Sequence, residues 1–447
     1  MFNRICIVVL DGIGIGAAPD AADYGDEGAH TLGNIFAAQG KLDLPNLYAM
    51  GLGHIRDARL WDAAGISHAG NSAPQPTASY GRMAAKTRAK DTTSGHWELA
   101  GLIMEPPFAT FTSFPEELLE KWISQANEIG LWRYDETGRH MEWWNESQKD
   151  YVSIAPQLAQ DMPAKFPNAH EFSLILPKWL GNYPASGTQI IDELGQVHMQ
   201  TGAPIVYTSA DSVFQVAANE EIIPIQTQYR LCQLARELLT GDYIVGRVIA
   251  RPFIGGPGGF SRTKNRRDYA VPPTGETLLD ALAAKGQNTL GIGKIEDIFC
   301  GKGVSRSIYT KSNTDGINAT IESLKSGTGE TLIFRNLVDF DMLYGHRNNP
   351  EGFAKALEYF DSRLPEILAA LKPSDLLIIT SDHGCDPTTP STDHSREYVP
   401  ILVYGDGVQA VDLGTRSTLA DVAATVYEAL GHGAWPVGEP FILWMGE

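Results

Sequence analysis

Along most of this chain, continuous apolar runs of four to eight residues alternate with longer amphipathic stretches. Short apolar runs without polar alternation suit strands buried on both faces, and the amphipathic stretches suit helices that cover a mainly parallel sheet. The runs predict strands at Ile5–Leu10, Thr289–Ile292, Leu332–Val338, Leu376–Thr380 and Ile401–Tyr404. Gly352–Leu371 reads as a helix, because Phe353, Leu357, Phe360, Leu364, Ile367 and Leu371 keep an apolar stripe at steps of four and three. Pro365 is expected to kink that helix or open a second one. A last helix is expected over about Thr418–Leu430, capped by Ser417.

The alternation lapses from about Leu102 to Ala270, where prolines, glycines and aromatics interrupt it, and resumes after Pro272-Pro273. This stretch reads as a domain inserted into the first, so that residues 1–101 and 271–447 form one domain and 102–270 another. Trp122 to Trp179 is its least regular part and holds five of the nine tryptophans.

A chain of 447 residues buries enough surface to need no disulfide support. Its four cysteines, Cys6, Cys232, Cys300 and Cys385, lie far apart without a CxxC pair, which argues against a disulfide framework or a thiolate zinc site and for a reducing compartment. Arg4 followed by Ile5–Leu10 has the outline of a signal-peptide start. The run is short and ends in Asp11, however, and reads better as a first strand. No stretch approaches the ~18 apolar residues of a membrane helix, so a cytoplasmic protein with no membrane partner is expected. The formal net charge of −19, from 54 acidic and 35 basic residues, argues against a nucleic-acid partner. An anionic substrate would need local cations, and Arg247, Arg251, Arg262, Arg266 and Arg267 form the one basic concentration.

Candidate chemistry lies where the predicted strands end. Leu376–Thr380 leads into Ser381-Asp382-His383-Gly384, with Asp393-His394 beyond, and Leu332–Val338 delivers Asp339, Asp341 and His346. Carboxylates and imidazoles gathered at strand ends suit Mn²⁺, Zn²⁺ or Mg²⁺. Asp11 ends the first strand and precedes Gly12-Ile13-Gly14-Ile15-Gly16, at the edge where open α/β sheets bind ligands. With Asp11 the donors suffice for two metals, an arrangement that catalyses phosphoryl transfer. Thr92-Thr93-Ser94 offers hydroxyls that could cap a helix or supply a nucleophile activated by a cation.

Taken together, Asp11 to Asp20, Lys90 to Gly101, Tyr207 to Ser212, Gly246 to Phe253, Asn265 to Tyr269, Gly293 to Ile295, Asn336 to Arg347, Asp382 to Asp386 and Thr392 to Pro400 resemble the phosphopentomutases, members of the alkaline phosphatase superfamily. The resemblance implies an α/β alkaline-phosphatase-like core with a mainly parallel sheet flanked by helices, plus an inserted α+β cap. It implies two Mn²⁺ ions, one on Asp11, Asp382, His383 and Thr92 and the other on Asp341, His346 and His394. Thr92 would carry the phosphoryl group, and a sugar bisphosphate such as glucose 1,6-bisphosphate would prime it. Asp211, Arg247, Arg262 and Lys294 would contact the substrate, and the implied reaction interconverts ribose or 2-deoxyribose 1-phosphate with the 5-phosphate. Two departures stand out: Gly12 where the family usually has serine after the aspartate, and the long Trp122–Trp179 stretch. A phosphatase, phosphodiesterase or phosphoglycerate mutase of the same superfamily is the nearest alternative reading. A non-catalytic metal or phosphate-binding protein is the alternative of another class.

Overall fold

The computed structural model describes residues 2–57, 75–136, 138, 140–152, 177–209, 212–327 and 329–441. They form two compact units, Met1–Pro107 with Pro272–Glu447, and Phe108–Val271.

The first unit is built on an eight-stranded sheet in the order Arg306–Ile308, Thr289–Ile292, Leu332–Leu337, Arg4–Leu10, Asp375–Thr380, Val399–Gly405, Ser79–Met83 and Asp412–Arg416. The first five are parallel to one another, Val399–Gly405 runs antiparallel to both of its neighbours, and the edge strand is again parallel to Ser79–Met83. Arg4–Leu10 is buried along its whole length, as its unbroken apolar run requires. Val9 lies opposite both Asn336 and Thr380, so the central parallel strands end level and the segments after them emerge at one edge.

Alternate residues commit the sheet to its two helical layers. Cys6, Val8, Leu10, Ile333 and Leu377 pack with Ile35, Leu47, Ile317, Phe353 and Leu357 on one face. On the other face the Thr92–Leu99 helix lies over the Leu332–Leu337 strand, with His96 stacked on Phe334 at 5.8 Å.

Pro350–Ala370 is one helix of 21 residues that runs through Pro365. A proline here leaves the carbonyl four residues earlier, that of Asp361, without its helical N–H. Asn46 Nδ2 supplies the missing donor at 3.0 Å, while the Asp361 carboxylate accepts the Asn46 and Leu47 N–H groups at the start of the Pro45–Met50 helix. The last helix begins later than expected, at Asp421, with no side-chain cap. Thr418 and Leu419 are held outside it by Glu98, which accepts the Thr418 hydroxyl at 2.6 Å and the Leu419 N–H at 3.0 Å.

The second unit has its own core and a six-stranded sheet, with strands Ser261–Arg262, Arg247–Ile254, Val213–Asn219, Ile205–Thr208 and Leu180–Pro184 in order and Arg267–Ala270 also paired to Arg247–Ile254. Parallel and antiparallel pairs are mixed, and the helices Glu116–Glu128, Gly187–Thr201 and Ile225–Leu238 complete an α+β unit. Trp132–Tyr134, Met141–Asn145 and Asp150–Val152 add a separate three-stranded antiparallel sheet. Trp132 and Trp143 are core residues with satisfied indoles, Trp132 donating to Ile123 O and Trp143 to Gly202 O. Residues 153–176 of the long aromatic stretch lie outside the described residues. Among the described residues no helix is long and apolar enough to cross a membrane.

Candidate metal centre and nucleophile

Three hydroxyls begin the Thr92–Leu99 helix, and its cap tells them apart. Asp91 is the N-cap: its carboxylate accepts the Ser94 N–H at 3.1 Å and the Ser94 hydroxyl at 2.8 Å, so the serine is spent on the helix end. Thr92 Oγ1 instead lies 3.1 Å from His383 Nε2. The helix can come this close because residue 95 is glycine, where a β-carbon would stand 2.3 Å from the Asp382 carbonyl oxygen. Upstream, the buried Arg396 guanidinium clamps the approach, donating to Thr87 O and Ala89 O at 2.7 Å and to Asp20.

The level strand ends bring the remaining side chains together. Asp11 follows the first strand, and Asp382 and His383 follow Asp375–Thr380. Asp341 sits in a π-turn, Phe340–Tyr344, after the Leu332–Leu337 strand, and His346 in the 3-10 turn that follows. Donor atoms of Asp11, Asp382 and His383 lie within 4.8 Å of one another, as do those of Asp341, His383 and His394. His383 Nε2 is 3.3 Å from Asp11 Oδ1 and 3.4 Å from Asp382 Oδ2. Asp341 faces His394 Nε2 with one oxygen at 3.3 Å and His346 Nε2 with the other at 3.2 Å.

Burial pushes the Asp11 carboxyl up, and the neighbouring Asp382 adds to the shift. Burial acts in the same direction on Asp382 and Asp341, but nearby imidazoles outweigh it: His383 and His96 hold Asp382 down, and His346 and His394 hold Asp341 far below the usual carboxylate range. His383 is raised despite its burial, chiefly by Asp382 and Asp11. Three carboxylates in one buried place thus draw positive charge onto imidazoles, a role that a divalent cation fills better. The unpartnered atoms agree. Asp11 Oδ1, Asp341 Oδ1, Asp382 Oδ2 and His394 Nε2 are all buried without an aligned hydrogen-bond partner. These residues fit a metal.

The other sequence candidates are placed separately. Lys294 is exposed at the start of a short helix in the first unit. In the second unit Arg262 is exposed on its short strand, and Arg247 is exposed with Asp268 at 3.8 Å. Asp211 lies outside the described residues. Asp339 is turned inward, where it accepts the Asn313 N–H at 2.7 Å.

Several further residues surround the site. The Cys385 thiol lies within 4.8 Å of donor atoms of Asp341 and His346, and burial together with Asp341 pushes its pKa far up. Glu397 accepts from Gly16 N, Thr31 N and the Thr31 and Ser395 hydroxyls, pinning the glycine loop after Asp11 to the His394 segment. His96 and Asn336 lie directly behind the carboxylates. A polar residue inside an apolar strand was the available signal for Asn336.

A mainly parallel α/β sheet that gathers aspartates and histidines at one edge defines a metalloenzyme, and residues 3–433 match the Metalloenzyme superfamily. A phosphopentomutase of Caldanaerobacter subterraneus subsp. tengcongensis is 47% identical over 99% of this chain and 98% of its own, and that of Carboxydothermus hydrogenoformans 50% identical over 96% of each. The chain belongs to the phosphopentomutase family. Among solved structures, phosphoglycerate mutase of Leishmania mexicana aligns over 99% of this chain and 98% of its own, with 13% identity and a TM-score of 0.46.

Proposed function

We infer that this protein is a metal-dependent phosphopentomutase, interconverting ribose 1-phosphate or its 2-deoxy analogue with the corresponding 5-phosphate. The observation that carries this reading, beside the family, is the placement of a single helix-terminal hydroxyl, Thr92 Oγ1, 3.1 Å from His383 Nε2 at the mouth of a carboxylate and imidazole cluster. Asp11, Asp382, His383 and Thr92 would hold one cation and Asp341, His346 and His394 a second, with Mn²⁺ the candidate ion. Such a pair supplies positive charge to the oxygens between which a phosphoryl group moves.

Thr92 is the covalent carrier. Its phosphoryl group passes to the free hydroxyl of the sugar monophosphate: the P–O bond to Thr92 breaks, a P–O bond to the sugar forms, and the hydroxyl proton is released. The bisphosphate then returns its other phosphoryl group to Thr92 Oγ1, leaving the isomeric monophosphate. A sugar bisphosphate such as glucose 1,6-bisphosphate loads the threonine at the outset. Arg247, Arg262, Asp211 and Lys294 are the proposed substrate contacts, since guanidinium forks match phosphate oxygens and a carboxylate suits a sugar hydroxyl.

The test is conversion of ribose 1-phosphate to ribose 5-phosphate by the purified protein with Mn²⁺ and bisphosphate primer. Inorganic phosphate as the main product would make the protein a hydrolase, and absence of turnover would overturn the reading.

A further inference from the structure

His96 is fully buried in the Thr92–Leu99 helix, and Asn336 is almost fully buried in the strand beneath it. His96 Nδ1 lies 2.9 Å from the Thr92 carbonyl oxygen and 3.0 Å from Asp382 Oδ2, groups that only accept hydrogen bonds. Nδ1 therefore carries the ring proton, and its aligned bond goes to the carbonyl. Nε2 is then an acceptor, and Asn336 Nδ2 approaches it at 3.1 Å. The same Nδ2 lies 2.8 Å from Asp11 Oδ2, so one amino group serves both neighbours, and the amide cannot be reversed without setting oxygen against two acceptors. Asn336 Oδ1, by contrast, has no partner at all. A buried amide used on one side only costs stability, so its place in an apolar strand calls for another reason.

We propose that His96 and Asn336 are positioning residues of the metal centre, a buried pair that ties the Thr92 end of the helix to Asp11 and decides which Asp11 oxygen is presented to the cation. With Oδ2 held by Asn336, Oδ1 is left unpartnered and turned toward His383, 3.3 Å away. The Nδ1 edge of His96 lies against the unpartnered Asp382 Oδ2, so the imidazole backs one ligand directly and the other through the amide. Partners of this kind orient ligands and tune their basicity. The proposal rests on the metal-dependent reading above.

The test measures Mn²⁺ binding to metal-stripped protein by calorimetry and by Mn²⁺ paramagnetic resonance, for wild type, Asn336→Leu, His96→Phe and the double variant. Affinity at the Asp11 and Asp382 site is expected to fall about 10-fold or more in each single variant, while the Asp341 and His346 site keeps its affinity. Because the pair acts as a unit, the double variant should lose no more than either single one. Among the kinetic constants, kcat should fall with little change in KM for the pentose phosphate. Unchanged Mn²⁺ affinity in the variants, or equal weakening of both sites, overturns the proposal. If Asn336→Leu fails to fold, the double variant, which leaves no orphaned group between the two positions, carries the measurement. Misfolding of all three would make the pair a structural element and also overturn the idea. Failure of the wild-type protein to bind Mn²⁺ would instead strike the parent reading.

Discussion

Thr92 owes its proposed role to what its neighbours do. Ser94 is spent on the Asp91 cap, Gly95 lets the helix touch the Asp382 backbone, and Thr92 Oγ1 is the hydroxyl brought to His383. Thr92→Ala is therefore expected to lower mutase activity by at least ~10³-fold while Mn²⁺ still binds. Mass spectrometry after incubation with the bisphosphate should find phosphate on Thr92 in the wild type, and phosphate on Thr93 or Ser94 would reassign the carrier. Asp11, Asp382 and His383 were legible as candidate ligands because they stand at the ends of apolar runs. Asn336, Glu397 and Cys385 were not, since each acts across strands or loops that sequence spacing does not relate. Gly12 also has a local reason. At φ +81° with a β-carbon only 3.0 Å from Cys385 Cβ, the position favours glycine in this chain.

At the scale of elements, continuous apolar runs marked the central strands, while Ser79–Met83 and Asp412–Arg416 escaped notice. Their sequences, SYGRM and DLGTR, carry polar residues and glycines. Gly81 is there because the edge strand comes so near that a β-carbon would meet Gly414 O at 2.8 Å. Helix ends were misjudged where a distant side chain, such as Glu98, holds the flanking backbone. The uninterrupted passage of a helix through Pro365 likewise depends on a remote amide. Asp361→Asn leaves one oxygen to accept what two accept now, and should cost about 1–2 kcal/mol, read as a lower urea midpoint for metal-free protein. A second prediction concerns the Gly187–Thr201 helix. Its His198 is buried, with Nδ1 2.7 Å from Ala203 O and Nε2 accepting the Asn219 N–H at 2.9 Å, and burial lowers its pKa to about 4. The unfolded chain takes up this proton near pH 6.5 and the folded one only near 4, so stability falls as pH drops through that window. Between pH 7 and pH 5 the loss should be about 2 kcal/mol. Urea unfolding followed by tryptophan fluorescence should show it, and His198→Gln, though weaker at pH 7, should show a smaller pH difference.

For the molecule as a whole, three buried carboxylates meet at one sheet edge, so removing the proposed cations should loosen the first unit. Chelation is expected to lower its melting temperature, and Mn²⁺ at about 100 times its Kd should restore about 2.7 kcal/mol. Calorimetry with and without chelator tests this, and an unchanged first-unit transition would contradict it. The parallel sheet was legible because strands buried on both faces leave apolar runs without alternation. What the sequence left open in the Trp122–Trp179 stretch was which surface its aromatics cover. For Trp132 and Trp143 the answer is the second unit's own core.

The central strand, Arg4–Leu10, has both of its neighbours at Leu332–Leu337 and Asp375–Thr380. During synthesis it leaves the ribosome with nothing to pair with and stays so until more than three hundred further residues have followed. At ~5–20 residues per second that wait is on the order of tens of seconds. Phe108–Val271, whose described strands pair among themselves, can fold within it. Asp11 and Thr92 then wait for Asp341, Asp382 and His394, so a nascent chain cannot assemble the proposed metal-binding cluster until those residues have followed. Metal uptake by that cluster would then report that strands more than three hundred residues apart have met at one sheet edge.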